Sequence, residues 1–162
     1  MIPTPDELEA ARRQAVEEYP RECCGVIMQR GPERRLLRCR NIQDELHAAD
    51  PARHPRTART AFNIGKQDHD RIAALQAQGF ELGVIYHSHV DVGAYFSETD
   101  KRMAMMGRDP RQHEPLYPDV THVVMAVTRD RVEQVSAFRW HPTSRDFLPV
   151  DLGVAVSSES RA

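Results

Sequence analysis

Long apolar runs are missing from this sequence of 162 residues, and so is a strong net charge. A helix that spans a bilayer needs roughly 20 mostly apolar residues, and no segment approaches that length. The first residues, MIPTPDELEAARRQ, contain no apolar signal-peptide core, so we expect a cytoplasmic protein without a membrane partner. The formal net charge of -2 gives no basic field that would attract nucleic acid.

Cysteine is also scarce, and the three examples are Cys23, Cys24 and Cys39. An odd count that includes two adjacent residues does not suit a disulfide framework. The sequence has no C-x-x-C pair, which argues against a structural zinc knuckle. These thiols are therefore expected to be small buried hydrophobes in a reducing compartment.

The overall composition is that of a globular domain, with 40% apolar and 28% charged residues. The length allows one domain with a sizeable core and is short for two. We expect this domain to occupy residues 1–152. The small, polar residues 153–162 are predicted to form a flexible tail.

Apolar periodicity and turn residues predict the order helix, hairpin, loop, strand, helix, strand, helix, hairpin. The first helix is expected to start with a capping box from Thr4 to Glu7 and to end before Pro20. Residues 61–64, AFNI, are predicted to form a brief strand. The order indicates a mixed α/β fold with one central mixed sheet flanked by helices.

Residues 41–60 are polar and lack a clean period, so they are predicted to form a long loop. His47, Asp50 and His54 lie within it. Their irregular spacing favours a solvated loop over a second metal site. A loop that clamps the tail of a partner protein is an alternative.

The segment YHSHVDVGAYFSETD, from Tyr86 to Asp100, has the residue types of a metal site. Side chains alternate along a strand, so His87 and His89 point to the same face. The following loop can return Asp100 to the strand end, in the first turn of a helix capped by Ser97. Two imidazoles and one carboxylate suit zinc and leave a fourth position for water. Bound zinc lowers the pKa of water from ~16 to ~7.

Hydrolysis at such a site also needs a base, which passes a proton to the leaving amine. Glu22, at the start of the first predicted strand, is the candidate, although spacing alone does not place it beside the histidines. Ser97 could donate a hydrogen bond to an oxyanion. Taken singly, each residue has a simpler explanation: surface polarity, an N-cap, a first-turn charge or a solvated glutamate. The combination at fixed order and spacing favours the metal site.

The sequence matches the pattern E…H-[ST]-H-x7-S-x2-D at Glu22, His87, Ser88, His89, Ser97 and Asp100. This pattern resembles the JAMM motif of the MPN-plus metalloproteases. The segment from Glu22 to Val26 is also similar to the E-x-C-G-V stretch of small prokaryotic members. The likeness extends from about Leu8 to Trp140. It implies a single MPN/JAB-like catalytic domain. The residues that it assigns are His87, His89 and Asp100 as ligands of one Zn²⁺ per chain, Glu22 as general base and Ser97 at the oxyanion.

The resemblance also implies a reaction: hydrolysis of a peptide or isopeptide bond by zinc-activated water. The bond would follow the C-terminal diglycine of a ubiquitin-like or sulfur-carrier protein, which would be the partner. Compact single-domain members are similar to enzymes that release cysteine from a carrier or trim a carrier to expose its diglycine end. This subclass is favoured over deubiquitination because no recruitment domain is present. Substrate-binding residues are not indicated, and a homodimer is compatible with the sequence.

The main alternative is a non-catalytic MPN-type scaffold that binds zinc and protein partners. Inactive relatives normally lose zinc ligands, whereas this chain keeps the whole set. The pattern from His87 to Asp91 also superficially matches the H-x-H-x-D of metallo-β-lactamase-type hydrolases, but Val92 replaces their next histidine. Zinc deaminases need a Pro-Cys-x-x-Cys that is absent, and a (β/α)8 barrel typically needs about 250 residues.

Overall fold

The structure is a computed structural model that describes residues 1–153. Apart from Gly153, the predicted flexible tail lies outside the described residues. The helices and strands follow in the order α1 (Pro5–Glu18), β1 (Cys24–Arg30), β2 (Glu33–Cys39), α2 (Gln43–Ala49), α3 (Lys66–Ala77), β3 (Glu81–Val90), α4 (Glu98–Ala104), β4 (Thr121–Val127), β5 (Val132–His141) and β6 (Asp146–Val150). None of the helices in this range is long and apolar enough to cross a bilayer.

The strands form one mixed sheet in the order β2-β1-β3-β4-β5-β6. Strands β3 and β4 pair in parallel, and the other neighbours pair antiparallel. This confirms the predicted mixed α/β fold with a central sheet. Strand β3 lies between β1 and β4, and it is buried from Tyr86 to Val90, as expected for a strand with neighbours on both sides.

Helix α1 covers one face of the sheet. It begins with the predicted capping box, in which Thr4 and Glu7 each accept a hydrogen bond from the other's backbone N–H. Its apolar side chains Leu8, Ala11 and Ala15 pack in one cluster with Val84 and Tyr86 of β3 and their neighbours. Because side chains alternate along β3, this face also receives Ser88.

The opposite face carries two smaller apolar clusters. One joins β1 to α3 through Val26, Met28 and Ile72. The other surrounds Phe96 and Trp140 at the far end of the sheet. The side chains of β3 at odd positions, including both histidines, belong to this face, so the face opposite α1 carries the candidate site.

The prediction of one long loop over residues 41–60 was wrong in part, because α2 lies within this segment. Polar contacts hold the helix, and an apolar period does not reveal them. Gln43 is buried and donates through Nε2 to the carbonyl of Arg56 at 2.9 Å. Asp44 accepts from the N–H of Ala58 at 2.7 Å.

Two short strand assignments also need correction. The segment predicted as the strand AFNI forms an isolated bridge between Asn41 and Ile64 and no longer ladder. Strand β6 was not predicted, because it has five residues and contains Pro149. It pairs with β5 at the end of the sheet order, and an edge strand tolerates proline.

Candidate metal centre

Three buried side chains meet where β3 ends and α4 begins. His87 and His89 extend from the same face of β3, and their Nε2 atoms are 3.2 Å apart. Asp100 lies in the first turn of α4. Its Oδ2 lies 3.2 Å from His87 Nε2 and 3.1 Å from His89 Nε2. The structure therefore brings together the three residues that the sequence predicted as ligands.

The spacing and the donor types of this group fit a divalent ion such as zinc. Bonds of ~2.0–2.1 Å to a tetrahedral ion place the ligand atoms about 3.3 Å from one another, close to the separations of 3.1 to 3.2 Å in this group. Two imidazoles and a carboxylate also leave one position for water or substrate. Among residues 1–153, this is the one group of three or more His, Cys, Asp or Glu side chains placed to hold a metal ion.

Neighbouring groups orient both histidines. The Nδ1 of His89 lies 3.0 Å from the carbonyl of Gly93. A carbonyl accepts hydrogen bonds, so this nitrogen carries the proton and Nε2 presents its lone pair to the ion. The ring of His87 stacks on Phe62 with a centroid distance of 4.5 Å.

The Asp100 carboxylate is held by the start of its own helix. Ser97 is the N-cap of α4, and its Oγ accepts from the N–H of Asp100 at 3.0 Å. The N–H of Ser97 donates in turn to Asp100 Oδ2 at 3.0 Å. Burial opposes ionisation of Asp100, but His87, His89 and the Ser97 N–H together hold its pKa well below the ordinary value. Asp100 is therefore an ionised carboxylate, as a metal ligand must be.

Glu22 lies across the strand pair from the metal centre. Cys24 of β1 pairs with His87 of β3, and the N–H of Ser88 donates to the carbonyl of Cys23 at 3.1 Å. Glu22 lies two residues before β1, and an extension of this antiparallel register would place it opposite His89 and on the same face. Glu22 is not a member of the ligand group.

The side chain of Glu22 is 4% exposed. Burial, together with the negative charge of Asp100, raises the pKa of Glu22 to about 9, and Arg56 partly opposes this effect. The Glu22 carboxyl therefore holds its proton more tightly than an ordinary glutamate, and a divalent cation held by His87, His89 and Asp100 would favour the carboxylate form. Buried carboxyls with strongly shifted pKa values are concentrated at functional sites.

The sequence pattern indicated no role for His122, which lies on β4 on the face that carries the metal centre. It is buried, and its Nε2 has no hydrogen-bond partner among residues 1–153. Burial and the neighbouring His87 lower the pKa of His122 to about 4. Alternation along THVVMAV, which places His122 on one face with Val124 and Ala126, was the available signal.

The other polar candidates do not join the metal centre. The Nδ1 of His47 contacts the carbonyl of His54 at 2.8 Å, so the solvated-segment interpretation agrees with the structure better than a second metal site. Asp91 accepts hydrogen bonds from Tyr19 at 2.8 Å and from Arg59 at 2.9 Å. It follows β3 with a φ of 58°, and both contacts go to its Oδ2.

Three comparisons relate the chain to known proteins. A family described as prokaryotic homologs of the JAB domain matches residues 4–141. Tail tip assembly protein K of Escherichia phage N15 is 34% identical over 94 residues, which are 58% of this chain. The match spans 32% of the length of that phage protein.

Two solved structures have a similar fold. A protein from Salinibacter ruber, 25% identical, covers 93% of this chain and 89% of its own length with a TM-score of 0.56. A protein from Desulfitobacterium hafniense, 15% identical, covers 91% of this chain and 88% of its own length with a TM-score of 0.57. The second likeness concerns the fold alone.

Proposed function

The chain belongs to the family of prokaryotic JAB-domain homologues, and on this basis we propose that it is a zinc-dependent peptidase or isopeptidase. The observation that carries the proposal is the buried group of His87, His89 and Asp100, with the buried Glu22 carboxyl near enough to Asp100 for that charge to raise its pKa. Arg56 only partly offsets the burial of the Glu22 carboxyl, and burial of a carboxylate without a full ion pair is unfavourable for folding. A task in proton transfer accounts for Glu22 at this position.

The metal would be held by His87, His89 and Asp100. Zinc bound there would supply a water with a pKa of about 7 and a Lewis acid that polarises the scissile carbonyl. The carboxylate of Glu22 would accept the proton of the attacking water and deliver it to the nitrogen of the leaving amine. A raised pKa suits this task, because Glu22 then retains the proton between the two steps.

Ser97 would have two tasks. Its Oγ accepts from the Asp100 N–H, which orients the ligand. Its hydroxyl hydrogen is not used in that bond, because a hydroxyl is both donor and acceptor. Donation of this hydrogen to the oxyanion that develops on the cut carbonyl would stabilise the transition state.

The proposed substrate is the C-terminal tail of a ubiquitin-like or sulfur-carrier protein, cut after its diglycine. Support comes from the JAB family match over residues 4–141 and from the resemblance of the Glu22–Val26 segment to small prokaryotic members. Under this proposal the carrier protein is the partner of the chain in the cytoplasm.

A non-catalytic scaffold that binds zinc is the second candidate function. One observation favours it: the phage relative is named as a tail tip assembly protein, and an assembly role does not by itself require hydrolysis. The two candidates make different predictions about Glu22. A hydrolase needs its carboxyl, whereas a scaffold does not.

The test combines metal analysis with cleavage of a fluorogenic peptide that carries a reporter after Gly-Gly. We expect one zinc per chain, and we expect Glu22→Gln to keep the zinc while cleavage falls about 10²- to 10⁴-fold. Glu18→Gln is the matched control, because burial also raises the pKa of Glu18 at the end of α1.

Two results would contradict the proposal in different ways. Unchanged cleavage by Glu22→Gln would show that Glu22 is not the base. A protein with full zinc content that cuts no diglycine peptide would support the scaffold.

A further inference from the structure

A cleft of about 300 Å³ lies directly beside the metal centre. His87 and Asp100 form part of its wall, so the cleft and the metal centre share side chains. Most of the other wall residues are apolar, and they include Phe62, Ile64, Phe96, Met103, Leu116 and Tyr117. The volume is at the lower end of the range of about 300–1,000 Å³ for ligand sites. It suits one large side chain better than an extended molecule.

The cleft contains little charge for a ligand to pair with. In the described part of the chain, the polar residues of the cleft wall other than His87 and Asp100 are Asn63, His69 and His122. No lysine, arginine or glutamate of residues 1–153 is among them. An uncharged side chain would therefore lose less hydration on entering the cleft than a charged one.

The rim of the cleft exposes large apolar side chains. Met106 is 65% exposed and Leu116 is 53% exposed. Met106 also has a φ of 52°, a left-handed conformation that is unfavourable for any residue with a Cβ. The end of α4 accounts for this conformation, because Met106 follows the C-cap Met105 and the N–H of Gly107 donates to the carbonyl of Arg102 at 2.9 Å. The helix end does not explain the exposure of the Met106 side chain, and an apolar ligand in the cleft would remove that exposure.

We propose that this cleft binds the side chain of the first residue after the cut bond, and that this residue is large and apolar. The inference rests on the proposed function. The two glycines before the bond have no side chains, so the substrate side chain nearest to the ion belongs to the residue that follows them. A cleft that shares His87 and Asp100 with the metal centre is placed to receive it. The released group would then begin with a residue such as phenylalanine, leucine or methionine.

The first experiment compares peptides with the sequence Gly-Gly-X, in which X is phenylalanine, leucine, alanine or lysine. We expect kcat/KM to be about 10- to 100-fold higher for phenylalanine and leucine than for alanine, because burial of a large apolar side chain is worth this much. Equal rates for all four peptides would overturn the inference and leave the hydrolase intact. Cleavage of none of them by zinc-loaded protein would overturn the proposed function itself.

The second experiment fills the cleft. Ala104 lies in its wall, so Ala104→Phe should reduce kcat/KM for the phenylalanine peptide at least tenfold more than it reduces kcat/KM for the alanine peptide. Binding gives an independent measurement: in a Glu22→Gln background, the affinity for the uncut phenylalanine peptide should fall with Ala104→Phe by a similar factor. Leu116→Ser should weaken binding, whereas Leu148→Ser, at an exposed leucine of β6, is the control. Equal effects of the two leucine variants would contradict the inference.

Met106→Gly separates a ligand contact from a structural role. Glycine accepts the left-handed conformation without strain, so the melting temperature should stay the same or rise. KM for the phenylalanine peptide should rise severalfold at the same time. A lower melting temperature with an unchanged KM would show that Met106 serves the fold and not the substrate.

Discussion

The oxygen of Asp100 that faces the two histidines is also the oxygen that accepts the backbone N–H of Ser97, at 3.0 Å. Ser97 accepts the N–H of Asp100 in return, again at 3.0 Å. The capping box that starts α4 and the carboxylate ligand are therefore one arrangement of atoms. When α4 folds, Asp100 is oriented toward the histidines before any ion binds, which reduces the reorganisation that binding requires.

This shared arrangement predicts that Ser97→Ala weakens metal binding. Loss of a neighbour that orients a ligand typically lowers metal affinity about 10- to 100-fold, and loss of the N-cap costs about 1 kcal/mol of stability. Zinc affinity is measured by competition with a chelator, and stability by urea unfolding of metal-free protein. Ser97→Thr keeps a capping hydroxyl and should lose little.

Thr4→Ala is the matched control for that prediction. Thr4 starts α1 with the same type of capping box and lies outside the metal centre. Its loss should destabilise the fold by a similar amount and leave zinc affinity unchanged. If Thr4→Ala weakened zinc binding as much as Ser97→Ala does, the effect would come from general destabilisation and not from Asp100.

Zinc should stabilise the folded chain, because the ligands meet only when β3 and α4 are in place. Ligand binding adds RT ln(1 + [L]/Kd), which is about 4 kcal/mol at 1,000 times Kd. Excess chelator should therefore lower the melting temperature of the wild type by several degrees. The chelator should have little effect on His89→Ala or Asp100→Asn. A wild-type melting temperature that does not respond to zinc or chelator would contradict the metal site.

Packing against Tyr86 explains why glycine occupies position 25 in β1. A Cβ at Gly25 would overlap the Tyr86 ring and its hydroxyl. Tyr86 cannot move aside at little cost, because its hydroxyl donates to Gln14 at 2.5 Å and Gln14 donates to the carbonyl of Cys24 at 2.9 Å.

Gly25→Ala should therefore destabilise the protein by about 1–3 kcal/mol, the usual cost of overpacking a core. Urea unfolding measures this cost. The double variant Gly25→Ala/Tyr86→Leu should lose less than the sum of the two single variants, since the clash is then absent. Strict additivity would mean that the ring and the strand do not compete for this space.

The metal ligands could be predicted from the sequence because they depend on local rules. Alternation along one strand pairs His87 with His89, and a helix N-cap places Asp100 three residues after Ser97. The position of Glu22 depends on the pairing of β1 with β3, more than 60 residues apart in sequence, and the resemblance to a family motif supplied it. The cleft could not be predicted, because its wall combines segments as distant as Phe62, Met103 and His122. Helix α2 could not be predicted either, because polar contacts hold it and its sequence has no periodic apolar face.

The burial of His122 predicts an acid-sensitive contribution to stability. Burial and the neighbouring His87 lower the pKa of His122 to about 4, and Asp100 partly opposes this; the pKa of an unperturbed histidine is about 6.5. Below pH 6.5 the unfolded chain binds a proton at His122 that the folded chain does not bind. The stability from this residue is therefore complete above pH 6.5 and falls as the pH decreases toward 4, by about 1.4 kcal/mol per pH unit.

We expect metal-free wild type to lose about 2 kcal/mol more than His122→Phe between pH 7.5 and pH 5, measured by urea unfolding. His113→Phe, which removes an exposed histidine, should keep the wild-type pH dependence. Parallel pH profiles for wild type and His122→Phe would show that the folded protein accommodates the charged imidazole.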